Sequence, residues 1–159
     1  MIRQALRRVW SLPWPEPMRQ AAPLVLRLPL IRQIALPHFM VGVVGVIRND
    51  AGEVLMLHHT YRGNEPWGLP TGFMEHGEQP RDALVREIAE ETGYDVRLDA
   101  TAHVYALTDR PLLNIVYTGR YVAGTFRPSD EISEARFVAP EALPALGADH
   151  DILSELLRP

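Results

Sequence analysis

Apolar and polar positions alternate differently on the two sides of residue 38. From Phe39 to Ile47 the chain is an almost unbroken, β-branched apolar run, the pattern of a strand buried on both faces. Gly42 and Gly45 lie within it and permit close backbone approach. Asn49 to Gly52 reads as a turn and Glu53 to His59 as a second strand, together predicting a hairpin. Tyr61 to Pro66 reads as a loop, and Trp67 to Gly72 as a short extended segment rich in turn formers. Residues 80–92 carry the clearest helical signal: Pro80 suits the first helical position and Gly93 the residue just past the end. Leu84, Val85, Ile88, Ala89 and Thr92 cover one sector and are expected to face the core. Strands are predicted at 95–107, 112–123 and 134–138, a short helix or turn at Pro140–Pro144, and a last helix over about 149–157 with Asp149 as its cap. This mixture predicts one layered α/β or α+β domain over residues 38–159.

Ahead of it, residues 2–10 read as a short amphipathic helix, with Ile2, Ala5, Leu6, Val9 and Trp10 on one stripe and arginines opposite. Pro13, Pro15 and Pro17 stop it, and the apolar stretch Leu24–Leu36 is broken by Arg27, Pro29 and Arg32. No run is long enough for a transmembrane helix, and Pro and Arg argue against a cleaved signal peptide. Three readings of residues 1–37 stand open. The segment packs on its own domain or on a homodimer partner, it makes a weak contact with an anionic membrane surface, or it is a loosely ordered tail.

Composition sharpens this division. The chain has 159 residues and a formal net charge of -4, and every one of its 16 basic residues is arginine. Residues 1–37 hold six arginines against one acid, Glu16, whereas residues 38–159 hold ten against nineteen. A basic extension thus precedes an acidic body, which gives no reason to expect DNA as a partner. With no cysteine there is no disulfide scaffold, thiolate metal site or cysteine nucleophile, which fits a cytoplasmic protein.

The acid of the body is concentrated on the predicted helix. Glu87, Glu90 and Glu91 stand at i, i+3 and i+4, so three carboxylates share one face within a turn. Such like charges repel unless a cation lies among them, and hard oxygen ligands suit Mg²⁺ or Mn²⁺. A solvated acidic face is the other reading of the three residues taken alone.

Their surroundings favour the cation. Gly72, five residues, Glu78, seven residues, then Arg86-Glu87-Ile88-Ala89-Glu90-Glu91-Thr92-Gly93-Tyr94 resembles the signature of the Nudix hydrolase family. At roughly 6–7% usage per residue type, its seven fixed positions coincide by chance on the order of 10⁻⁸ per starting point. Looser similarity extends over about residues 38–145. The chain departs from the family pattern at Thr71, where a glycine is common, and at Tyr94, where an aliphatic residue is usual.

The resemblance implies an α/β/α sandwich with a mixed central sheet. It implies a hydrolase of phosphoric anhydrides that uses Mg²⁺ or Mn²⁺ and water to cleave a nucleoside diphosphate linked to another moiety. The small-molecule substrate would be a nucleotide sugar such as ADP-ribose or a nucleoside triphosphate. The alternative is a non-catalytic nucleotide-sensing domain, which predicts lost signature carboxylates; none is lost here. Glu87, Glu90 and Glu91 fall on the metal positions, with Glu87 chosen to deprotonate the attacking water. Gly72 would offer a backbone carbonyl to the metal, and Glu78 a further carboxylate or a partner for Arg86. Arg86 would orient a glutamate. Many members of the family add a late acidic residue. Among Asp130, Glu131 and Glu134 the resemblance points to Glu131, whose distance ahead of Phe137 is typical of the family, as a catalytic residue that also contacts substrate; a solvated acidic turn is the other reading. Arg62 is a candidate for a substrate phosphate or else an exposed loop arginine, and Trp67 for stacking on a base, although a strand-end tryptophan more often packs in the core. Tyr105 and Tyr117 are candidate wall residues, while at most one of His58 and His59, on opposite faces of a strand, can face the same site. Pro111, 17 residues beyond Tyr94, is a pointer toward nucleotide sugars, although Arg110-Pro111 also reads as a plain turn.

Overall fold

Strand β1 (Met40–Arg48) is the axis of the domain, and its continuous apolar run is matched by burial of nearly every side chain from Val43 to Ile47. The structure, a computed structural model, describes residues 15–17 and 38–146. The chain divides into two units, Met1–His38 and Phe39–Pro159, and the account that follows concerns the second. The helices predicted at 2–10 and 149–157 lie outside the described residues.

β2 (Val54–His59), β3 (Trp67–Gly68), β4 (Thr71–Phe73), β5 (Tyr94–Ala106), β6 (Leu112–Gly124) and β7 (Ile132–Val138) join β1 in one mixed sheet. β6 runs parallel to β1 along its whole length, from Met40↔Leu112 to Arg48↔Arg120. β5 and β6 form a long antiparallel hairpin, and β7 and β3 flank β2.

The predicted hairpin of β1 and β2 holds only at its turn, where Arg48 faces Val54. Further along, β4 takes that edge of β1, pairing Gly42↔Phe73, Val43↔Gly72 and Val44↔Thr71. The crossing from β3 to β4 runs through Leu69-Pro70, and the Pro70 carbonyl accepts from the Gly45 amide at 2.9 Å. The extended segment 67–72 is therefore two strands on two partners, a division that its turn formers conceal.

Helix α1 spans Pro80–Thr92, the range predicted, and ends at Gly93 in the left-handed region (φ 73°) with its amide on the Ala89 carbonyl. Its buried sector differs from expectation. Ala83, Leu84, Ile88, Glu91 and Thr92 face inward, whereas Val85 and Ala89 are exposed. Leu84, Ile88 and Glu91 stand at i, i+4 and i+7, so the C-terminal end of the sheet-facing stripe includes a carboxylate.

Two apolar clusters fix the layers. Leu84 and Ile88 of α1 pack with Val43, Ile47, Leu55 and Leu57 on one face of the sheet. On the other face Val44, Val46, Met56 and Val116 pack with Leu143 of the 3₁₀ helix Pro140–Leu146. The result is an α/β sandwich in which β1 contributes alternate residues to the two sides. No helix among the described residues is long and apolar enough to cross a membrane.

Candidate active site

The register of α1 places its three glutamates at three depths. Glu91, on the stripe of Leu84 and Ile88, is only 7% exposed. The Glu87 side chain is 20% exposed and that of Glu90 61%. Among the described residues Oε2 of Glu91 is buried without a hydrogen-bond partner. Burial raises the pKa of this carboxyl to about 8, aided by the charges of Glu87 and Glu131 and opposed by Arg62.

Glu87 lies across the backbone of β4. A Cβ at Gly72 would stand 2.1 Å from Glu87 Cγ and 2.3 Å from its Cδ, so only glycine admits the carboxylate here. The Phe73 amide donates to Glu87 Oε1 at 3.3 Å.

Arg86 ties the helix to the preceding loop. Its Nε and Nη2 donate to the two oxygens of Glu78 at 2.9 and 3.0 Å, a bidentate pair. Nη2 also donates to the Phe73 carbonyl at 3.2 Å. Nη1 lies 3.1 Å from both Glu87 Oε1 and Glu90 Oε2. Bonded also by the Glu75 amide, Glu78 is held below the usual carboxylate range, chiefly by Arg86. One guanidinium thus orients three of the four signature carboxylates and leaves Glu91 without a cationic partner of this kind.

The late acidic candidate is positioned from β2. Thr60 donates its amide to the Glu131 carbonyl at 2.8 Å and its hydroxyl to the Asp130 carbonyl at 2.8 Å. Glu131 lines the same cleft as Glu87 and Glu91, whereas Glu134 is paired with Arg136. Arg62 also lines it, and its guanidinium occupies the space that a Cβ at Gly68 would need.

This cleft of about 630 Å³ gathers Gly72, Glu87, Glu91, Arg62 and Glu131. Trp67 stands elsewhere: it packs beside the Val44 cluster, with the Arg136 guanidinium 4.9 Å from its ring centre and His58 edge-on at 5.1 Å. Glu78, Arg86 and Glu90 are not among the lining residues and join them through the Arg86–Glu87 pair. His58 bonds to Ser133 and does not line the cleft; nor does His59, whose burial, with Arg62 nearby, lowers its pKa to about 4. Tyr105 lines the wall, whereas Tyr117 is in the core.

Sequence reading missed Asn114, Arg110, Tyr61 and Phe73, all of which line the cleft. Asn114 was legible in principle, because an amide inside an apolar strand needs a partner. Arg110 carried only a turn signal.

Among the described residues, no three acidic or histidine side chains already converge as a metal cage. The donor chemistry nevertheless fits a hard divalent cation. Glu91 has a buried oxygen without a partner, Glu87 lies against a glycine backbone, and all the donors are oxygens.

Comparison with known proteins agrees with this geometry. The NUDIX domain family matches residues 38–158. An ADP-ribose pyrophosphatase of Methanocaldococcus jannaschii is 34% identical over 130 residues, covering 76% of this chain and 75% of its own. A MutT-like protein of Streptomyces ambofaciens is 31% identical over 105 residues, covering 66% and 67%. Among solved structures, a NUDIX hydrolase from Nitrosomonas europaea superposes with a TM-score of 0.64 at 21% identity, covering 76% of this chain and 86% of that one.

Proposed function

The chain belongs to the Nudix family, and from that premise we propose that it is a metal-dependent pyrophosphohydrolase acting on an adenosine diphosphate derivative of the ADP-ribose type. The observation that carries the reading is the buried, unpartnered oxygen of Glu91. Desolvating a carboxylate beside two others is unfavourable, and a bound cation offsets that cost. The substrate class draws on the archaeal relative, named an ADP-ribose pyrophosphatase. A nucleoside triphosphate is the other substrate that this chemistry accepts.

In this reading Glu87, Glu90 and Glu91, with the Gly72 carbonyl, hold Mg²⁺ or Mn²⁺. The cation neutralises charge on the bridging and leaving oxygens and lowers the pKa of water. Arg86 fixes the rotamers of Glu87 and Glu90 while Glu78 holds Arg86 in place. Arg62, on the cleft wall, binds a substrate phosphate. The Glu87 carboxylate takes the proton of the attacking water as its oxygen bonds to phosphorus and the bond from phosphorus to the bridging oxygen breaks. Glu131 contributes a further carboxylate facing substrate.

The test is turnover by the full chain with Mg²⁺ or Mn²⁺ of a panel containing ADP-ribose, other nucleotide sugars and nucleoside triphosphates. Phosphatase-coupled phosphate release is the readout. ADP-ribose is expected among the best substrates. No turnover of any member would remove the enzymatic reading in favour of nucleotide binding without cleavage.

A further inference from the structure

Register places four residues in one row across four adjacent strands. Tyr105 of β5 faces Asn114 of β6, Asn114 faces Gly42 of β1, and Gly42 faces Phe73 of β4. Paired residues project from the same face of a sheet, so the row lies on one side. That side is opposite α1, because Val43 and Gly72, one position along, are the residues turned toward the helix. All four members of the row line the cleft. At about 4.8 Å between strands the row spans roughly 14 Å, enough for a nucleoside base and its ribose. The cleft therefore turns around the edge at Thr71–Phe73, with the carboxylates at one end and this row at the other.

The row has a definite chemistry. Asn114 Nδ2 donates to the Tyr105 hydroxyl at 2.9 Å, which fixes the plane of the amide. Among the described residues that is the one hydrogen bond of the Asn114 side chain. An amide has two N–H donors and one acceptor oxygen, so a donor and an acceptor remain side by side. Gly42 admits this amide, since a Cβ there would stand 2.3 Å from Asn114 Oδ1 and displace it. Its φ is not positive, so room rather than backbone conformation requires the glycine. Phe73, 54% exposed, lines the cleft on the other side of Gly42. A cleft wall that carries an amide and an aromatic ring suits a planar ring bearing an adjacent donor and acceptor, as adenine does with its 6-amino group and neighbouring ring nitrogen.

We infer that Asn114 is the specificity-determining residue that reads the adenine edge of the substrate over Gly42, with Tyr105 as its positioning residue. The inference rests on the proposed adenosine diphosphate substrate and extends it to the group that recognises the base.

Binding rather than turnover tests it. AMP has no anhydride to cleave, and purine riboside 5′-monophosphate differs from it only in lacking the 6-amino group. Titration calorimetry of the full chain with Mg²⁺ present should show AMP bound about tenfold more tightly. Asn114→Leu should weaken AMP binding to the level of the deaminated analogue and abolish the difference. Tyr105→Phe should reduce the difference severalfold and, with ADP-ribose as substrate, raise KM with a much smaller change in kcat. Thermal melts establish that each variant is folded, and if Asn114→Leu is not, Tyr105→Phe carries the test. Equal binding of the two nucleotides by the wild-type chain, or discrimination unaltered in a folded variant, would overturn the inference. Neither result would touch the hydrolase reading, which the turnover panel decides separately.

Discussion

Glu91 is the residue on which local energetics and function conflict. Its folded-state pKa of about 8 exceeds the ordinary 4.5, so with a chelator present the fold loses stability as pH rises through that window. Glu91→Gln removes the ionisation but keeps the shape. We expect it to raise the melting temperature at pH 8 in chelator by at least roughly 2–4 °C, corresponding to about 1 kcal/mol. An unchanged or lower melting temperature would show that the carboxylate is not penalised. His59 acts in the opposite sense. Its pKa falls to about 4 from 6.5, so the unfolded chain takes up the proton first on acidification. Stability is lost as pH falls from about 6.5 toward 4. In the Glu91→Gln chain, where the two effects no longer oppose each other, denaturant melts should show a loss of about 1–3 kcal/mol between pH 6.5 and 4.5. A flat profile would contradict the buried, neutral imidazole.

At the scale of elements, α1 and β4 form the site between them. Leu84 and Ile88, fully buried, anchor the helix with about 1.5–3 kcal/mol each. Two glycines bracket the unit for different reasons. At Gly93 the left-handed backbone matters, and an added Cβ would also stand 2.9 Å from the Thr125 carbonyl oxygen. Gly93→Ala should therefore cost about 1–2 kcal/mol of stability while the folded fraction keeps its kcat. Gly72→Ala should do the reverse, displacing Glu87 and lowering kcat by roughly 100-fold or more with a smaller change in melting temperature. Chemical denaturation and initial rates on both variants separate the two roles; equal kinetic losses would refute the distinction. The bounds of α1 were legible because Pro80 and Gly93 are local signals. Its buried face was less so. Val85 and Ala89 are apolar but point outward, while Glu91 occupies a core position that hydrophobicity alone never assigns to a carboxylate. The site divided in the same way. Residues set by spacing along one helix stood out in the sequence, and Glu131, which lines the cleft, was reached through the family resemblance. Asn114, Gly42 and Tyr105 meet only through pairing of β1, β5 and β6, which one sequence does not encode as a visible pattern.

Over the whole molecule, charge is separated along the chain, with a basic segment before an acidic body. Every proposed site residue lies between positions 42 and 131. The proposed hydrolysis is assigned to the acidic body, and a separate role for the basic segment is open to test. If that role is an anionic surface, the full chain floats with anionic liposomes and a chain lacking residues 1–37 does not. Equal flotation of the two would remove the membrane reading. Under the proposed function part of the acid in the body serves a cation, and the metal-loaded chain would carry less negative charge than the count of -4. The most direct measurement is ADP-ribose turnover by the full chain across a Mg²⁺ titration, with Glu91→Gln alongside. The wild-type rate should vanish in chelator and rise with Mg²⁺, while the variant stays at least about 100-fold lower at saturating Mg²⁺. A wild-type rate unchanged by chelator, or a variant that matches wild type at saturating Mg²⁺, would contradict the role given to the acidic helix.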